Sequence, residues 1–227
     1  MLKHVLDVLE LLDRPQTDGQ LLATHLRGVL DGAVREAAGT PAATAVRSDA
    51  VEITVTRVEG AKGGTDFVKV VVPGADGARA GGDAPTLGVL GRLGGVGARP
   101  ERTGLVSDAD GAVAALATAA KLLDMYGRGD VLRGDVIVST HVCPDAPTRP
   151  HDPVPFMDSP VSILDFYDCN RRRIGQYFGH RFTLDAVVSS TRASRGSAQP
   201  PPNNRGSRAL PAEGQEDSDS TPRSATI

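Results

Sequence analysis

His141, Cys143 and Asp145 stand at alternate positions directly after the apolar run Val136-Ile137-Val138-Ser139-Thr140. If the extended backbone continues past the run, all three side chains point to one side. Imidazole, thiolate and carboxylate are the ligands that zinc takes. The same residues allow a Cys143 nucleophile with His141 as its base. A plainer reading makes Cys143 a small buried residue and His141 a hydrogen-bonded loop residue. His151 and Asp152 follow and add polar groups to the same region.

Two further groups have the right chemistry. Ser107-Asp108-Ala109-Asp110-Gly111 opens an Ala-rich segment, where Asp108 or Asp110 can bind a cation or orient a water. The competing role is helix capping, with Ser107 or Asp108 as cap and Asp110 facing the positive end of the helix dipole. Arg92 follows the apolar stretch Thr86–Leu90 and can hold a carboxylate or phosphate through two parallel hydrogen bonds. The glycines at 88, 91, 94, 95 and 97 spell neither a dinucleotide fingerprint nor a P-loop, so they are read as sites of tight turning and close packing.

Such groups need elements to position them. Leu2, Val5, Leu6, Leu9 and Leu12 recur at helical spacing, and Pro15 stops that helix. Thr17 to Gln20 fits a capping box for a second helix ending near Gly32. Val51, Ile53 and Val55 alternate, a glycine-rich turn follows, and Phe67 to Val72 completes a hairpin. Gly74 to Asp83 is a polar loop. Strand Thr86–Leu90, helix Ala112–Met125 and strand Asp135–Thr140 then make a parallel βαβ unit. Open α/β sheets place their sites at the carboxyl ends of such strands, which is where Arg92, Asp110 and His141 fall.

Six prolines between Pro144 and Pro160 predict a stiff loop without regular structure. From Ser189 onward the only apolar residues larger than alanine or proline are Leu210 and Ile227, so that span is expected to lack a packed fold. The domain plan is an α/β domain over 1–161, a divergent segment over 162–188 and a low-complexity tail over 189–227.

The composition of the 227 residues supports a core, with hydrophobic content of 40% but aromatic content of only 4%. A net charge of −3 argues against a nucleic-acid partner. No apolar run reaches the ~20 residues needed to span a bilayer, so no membrane partner is expected. Two cysteines make no disulfide framework, and a cytoplasmic location is the expectation. A small-molecule substrate and a homo-oligomer are the partners considered.

The chain resembles an uncharacterised bacterial and archaeal family, domain of unknown function 1177. The resemblance lies in Met1–Glu10, Thr65–Val70, Gly91–Pro100, Gly104–Ala112, Thr140–His151 and Pro153–Met157. It covers residue 1 to about 161. Beyond Val161 the text diverges from the family, which suggests a truncated or frameshifted product with a bare sheet edge.

More loosely, the order of elements is similar to the co-catalytic zinc exopeptidase fold. That resemblance implies a mixed α/β sheet with a βαβ core and gives Asp108 or Asp110 the metal-bridging position. Arg92-Leu93-Gly94 stands where that fold has His-x-Asp, and Thr140-His141-Val142 where it has paired glutamates. The metal set this leaves is Asp108, Asp110, His141, Cys143 and Asp145, with zinc or another divalent metal as cofactor. The function expected is a hydrolase of small peptide-like or amide substrates, with His141, Asp110 and Arg92 as catalytic residues. The alternative is a non-catalytic binding or oligomeric protein that has lost the metal.

Overall fold

The structure is a computed structural model, and it describes residues 1–14, 17–41, 46–60, 62–91, 95–96, 105–107, 109–144, 147–150, 152, 156–157, 160–161 and 186–190. A mixed sheet has the order β1-β2-β6-β3-β9. Its strands are β1 (Glu52–Gly60), β2 (Gly63–Val72), β3 (Leu87–Gly91), β6 (Val136–Val142) and β9 (Ala186–Ser190). β1, β2 and β6 run antiparallel in turn, whereas β3 lies parallel to both β6 and β9. The helices are α1 (Leu2–Leu12), α2 (Gly19–Ala37) and α3 (Asp110–Gly127). Two-residue and three-residue ladders complete the list: β4 (Gly95–Val96) with β5 (Leu105–Ser107), and β7 (Thr148–Arg149) with β8 (Phe156–Met157).

Strand alternation sorts the sheet into two faces. Val68, Val70, Val136, Val138 and Val142 join Leu22, Leu26, Leu116 and Leu123 of α2 and α3 in one buried core. Phe67, Lys69, Val71, Ile137, Ser139 and His141 point to the opposite face and are also buried. α1 packs through Val8, Leu11 and Leu12 into the helical side.

The βαβ unit is as the sequence predicts, with the β4/β5 hairpin inserted between β3 and α3. At the end of β3, a Cβ on Gly91 would lie 2.0 Å from the Gly111 carbonyl oxygen and 2.6 Å from the Ala115 Cβ. The carboxyl end of β3 therefore abuts the first turn of α3, and no side chain larger than hydrogen fits between them.

Four expectations are corrected. Asp18, not Thr17, caps α2: its side chain accepts from the Leu21 amide at 2.7 Å, while the Thr17 hydroxyl donates to the Leu11 carbonyl. α2 continues past Gly32 to Ala37, because burying Leu30, Ala33 and Ala37 outweighs the ~1 kcal/mol cost of a helical glycine. The proline-rich loop carries the β7/β8 ladder in the gaps between its prolines. Most consequentially, β9 pairs with β3 from Leu87↔Ala186 to Gly91↔Ser190, so the sheet edge expected to be bare is covered. Ser189 and Ser190 were expected to lack structure. Val187 and Val188 have the branched side chains that favour strands, and that local preference prevails over the composition downstream.

The α1–α2–α3 junction carries a pH dependence. His4 Nε2 lies 3.6 Å from Asp124 Oδ2, and His4 Nδ1 is buried without a hydrogen-bond partner. Burial lowers the pKa of His25 on α2, Asp7 opposes that shift, and His4 and Arg14 add to it. Burial raises the pKa of Asp124, but the Arg128 hydrogen bond and charge, with Lys121 and His4, outweigh it and the net shift is downward. A depressed folded pKa means the proton binds more weakly in the folded state. The His25 contribution is thus fully present above its unfolded value of 6.5 and is lost as pH falls through the folded one. That of Asp124 is present above 3.8 and lost at still lower pH. In His25→Gln the drop in melting temperature between pH 7 and pH 5 should shrink. An unchanged slope in thermal melts would show that His25 is not its source.

Candidate functional site

The second face of the sheet carries a buried polar stripe across β1, β2 and β6. Antiparallel register sets Phe67 opposite His141 and Lys69 opposite Ser139. Lys69 is 8% exposed and its Nζ pairs with Glu52 Oε1 at 3.0 Å, so a buried ammonium is compensated rather than bare. Arg79 reaches the other oxygen of Glu52 at 3.5 Å. The Phe67 and His141 rings stack with centroids 5.5 Å apart and planes 23° from parallel.

At the carboxyl end of β6 the stripe ends in a defined hydrogen-bond relay. Thr65, fully buried, donates its hydroxyl proton to the Val142 carbonyl at 2.9 Å and sits 3.0 Å from His141 Nδ1. A hydroxyl has one proton to give. With that proton on Val142, Thr65 can accept from His141 Nδ1, and in that tautomer the lone pair lies on Nε2, an atom buried from solvent. Ligating and basic histidines are commonly oriented in this way, through a hydrogen bond at the other nitrogen.

The predicted site residues fall in different places. His141 is buried in β6, on the face turned away from the helices. Cys143 is 1% exposed, just past β6, and its thiol donates to the Gly64 carbonyl at 3.4 Å, which is the plainer of its expected roles. Asp110 is exposed in the first turn of α3, on the helical side. The residue capping α3 is Ala109, which offers no side-chain hydrogen bond, so the expected Ser107 or Asp108 cap is corrected. Asp110 instead faces the positive end of the helix dipole, where a carboxylate is favoured. Arg92, Asp108, Asp145 and His151 lie outside the described residues.

Asp110 and His141 are thus not brought into one ligand set by the described elements. Among the described residues no group of three or more His, Cys, Asp or Glu side chains could hold a metal ion. An imidazole nitrogen is one ligand, and a divalent cation needs several. The described residues do not complete its coordination, and no step below is routed through a metal. No described helix is long and apolar enough to cross a membrane.

The comparisons with known proteins bear on the same region. The model of a family described as "Protein of unknown function (DUF1177)" matches residues 56–192. The chain belongs to the DUF1177 family. The match takes in the hairpin from residue 56 onward, the βαβ unit and β9, and it extends beyond Val161, where the sequence resemblance was expected to end. The polar stripe from Phe67 to His141 is therefore within the family domain.

No curated protein matches the chain. Among solved structures it is similar to "Bottromycin maturation enzyme BotP in complex with Mn", with 16% identity and a TM-score of 0.35 over 63% of this chain and 31% of that one. It is also similar to a cytosol aminopeptidase from Coxiella burnetii, with 9% identity and a TM-score of 0.29 over 59% and 28%. The chain spans about a third of the length of either. At these scores the two likenesses carry no argument about fold or chemistry.

Sequence reasoning missed Thr65, Lys69 and Glu52. Lys69 had a visible signal: it is the lone charge inside the apolar run from Phe67 to Val72. A buried lysine there requires a partner.

Proposed function

We propose that this DUF1177 protein is a hydrolase of small amide or peptide-like substrates in which His141 Nε2 is the reactive nitrogen. The observation that supports this reading is the contact of the Thr65 hydroxyl with His141 Nδ1, a geometry that suits a ring proton on that nitrogen. In the reaction, Nε2, which is buried in this state, takes a proton from a water that enters beside it as the oxygen attacks the amide carbon. The imidazolium then returns that proton to the departing nitrogen, leaving acid and amine. Lys69, held by Glu52, supplies positive charge on the same face. General base catalysis of this kind contributes typically ~10²–10⁴-fold.

The test is hydrolysis of a panel of aminoacyl-anilides and dipeptides by the full chain, with His141→Ala and Thr65→Val alongside. Loss of roughly 100-fold or more is expected in His141→Ala. Thr65→Val, which removes the relay but keeps the shape, should lose ~10-fold. Elemental analysis of untreated protein, and chelator treatment of active protein, read whether zinc or another divalent metal assists. No hydrolysis anywhere on the panel, or full activity in His141→Ala, would overturn the reading.

A second reading is a small-molecule binding protein without catalysis. Under it, ligand binding survives His141→Ala unchanged.

A further inference from the structure

At the opposite end of α3 from Asp110, the chain forms a cavity of about 450 Å³. This is within the range of small-molecule sites. Pro73, Ala75, Val131 and the Tyr126 ring give it apolar walls, while Arg47 and Arg79 bring guanidinium groups to its lining. The catalytic reading makes no use of it.

The backbone around the cavity is firmly built. Asp135, fully buried, accepts from the Gly74 amide at 2.8 Å and from the Arg79 amide at 3.1 Å, so the loop bearing Arg79 has a fixed base. The Tyr126 hydroxyl donates to the Arg47 carbonyl at 3.1 Å, which ties the segment carrying the second guanidinium to α3. Glu52 is shared by two cations, Lys69 at 3.0 Å and Arg79 at 3.5 Å. A guanidinium has five N–H donors, so a ligand can join the partners Arg79 already has, Glu52 among them. Arg47 pairs with Asp49 at 3.1 Å in an exposed position and contributes mainly long-range attraction.

We propose that this cavity binds a small organic carboxylate, its apolar body against Tyr126, Pro73 and Val131 and its charge on Arg79. The carboxylate accepts hydrogen bonds from the Arg79 guanidinium beside those it already gives. The apolar walls select against a bare inorganic anion. His141 does not line this site, though Glu52 links Arg79 to Lys69, and the proposal stands whether or not the hydrolase reading holds.

The experiment titrates the full chain with benzoate by calorimetry, with benzamide and inorganic phosphate as comparison probes. Benzoate should bind at least ten-fold more tightly than either. Arg79→Met should weaken benzoate at least ten-fold, and Arg79→Lys less. Ala75→Leu keeps both guanidinium groups but fills the apolar wall, and it should also weaken benzoate while leaving the melting temperature near that of the parent. Failure of benzoate to bind, equal binding of benzamide or phosphate, or unaltered affinity in both Arg79→Met and Ala75→Leu would each overturn the site. None of these outcomes depends on amide hydrolysis.

Discussion

Asp135→Ala should lose roughly 3 kcal/mol of stability, read as a shift in the urea midpoint with unchanged slope. The carboxylate is fully buried and accepts from the Gly74 and Arg79 amides. Removing it leaves the buried Gly74 amide and the part-buried Arg79 amide without this acceptor, at ~1–3 kcal/mol for each one left buried. The backbone of Asp135 also accepts from the Leu87 amide at 3.0 Å, which sets the start of β3 against β6. The side chain therefore stabilises the point where three segments meet. Asp135→Asn keeps one acceptor oxygen and turns an amide N–H toward the other donor, so it should recover only part of the loss. A midpoint for Asp135→Ala within error of the parent would contradict this account of the loop.

Gly91→Ala should be at least as damaging, by roughly 3 kcal/mol, the upper part of the range for an overfilled core. The added methyl would lie 2.0 Å from the Gly111 carbonyl oxygen, and backbone cannot swing aside as a flexible side chain can. Relief requires α3 to lift from the sheet, which exposes part of the core formed by Leu116 and Leu123. The control is Gly28→Ala on α2, where nothing lies within 4 Å of the new methyl. There the better helix propensity of alanine should raise the melting temperature slightly. Equal melting temperatures for Gly91→Ala and Gly28→Ala would mean that β3 and α3 are not in close contact.

Much of the fold was legible because its elements repeat simple periods. Leu2 to Leu12 and Ala112 to Met125 follow the helical period, and Val51 to Val55 alternate. The βαβ order follows from the spacing of β3, α3 and β6. β9 was hidden because Ala186-Val187-Val188 is a short run beside a long polar tail, and pairing with β3 is decided by contact, not by composition. The site was legible in half. His141 stands out as an imidazole at a strand end, yet its partner Thr65 carries no titratable group. It lies 76 positions away in the chain. Only the β2–β6 register, with Phe67 opposite His141, brings the two together. Asp110 and Cys143 were legible as residue types, and the described contacts add a place in the first turn of α3 for one and a thiol hydrogen bond to the Gly64 carbonyl for the other.

The relay itself is open to direct observation. Long-range ¹⁵N–¹H correlation spectra of the histidine rings, recorded at a pH where His141 is neutral, distinguish the two tautomers. The account predicts a protonated Nδ1 and an unprotonated Nε2 for His141, with the balance moving toward the other tautomer in Thr65→Val. A His141 ring protonated at Nε2 in the parent protein would contradict it, because the nitrogen assigned to the chemistry would then have no lone pair to offer.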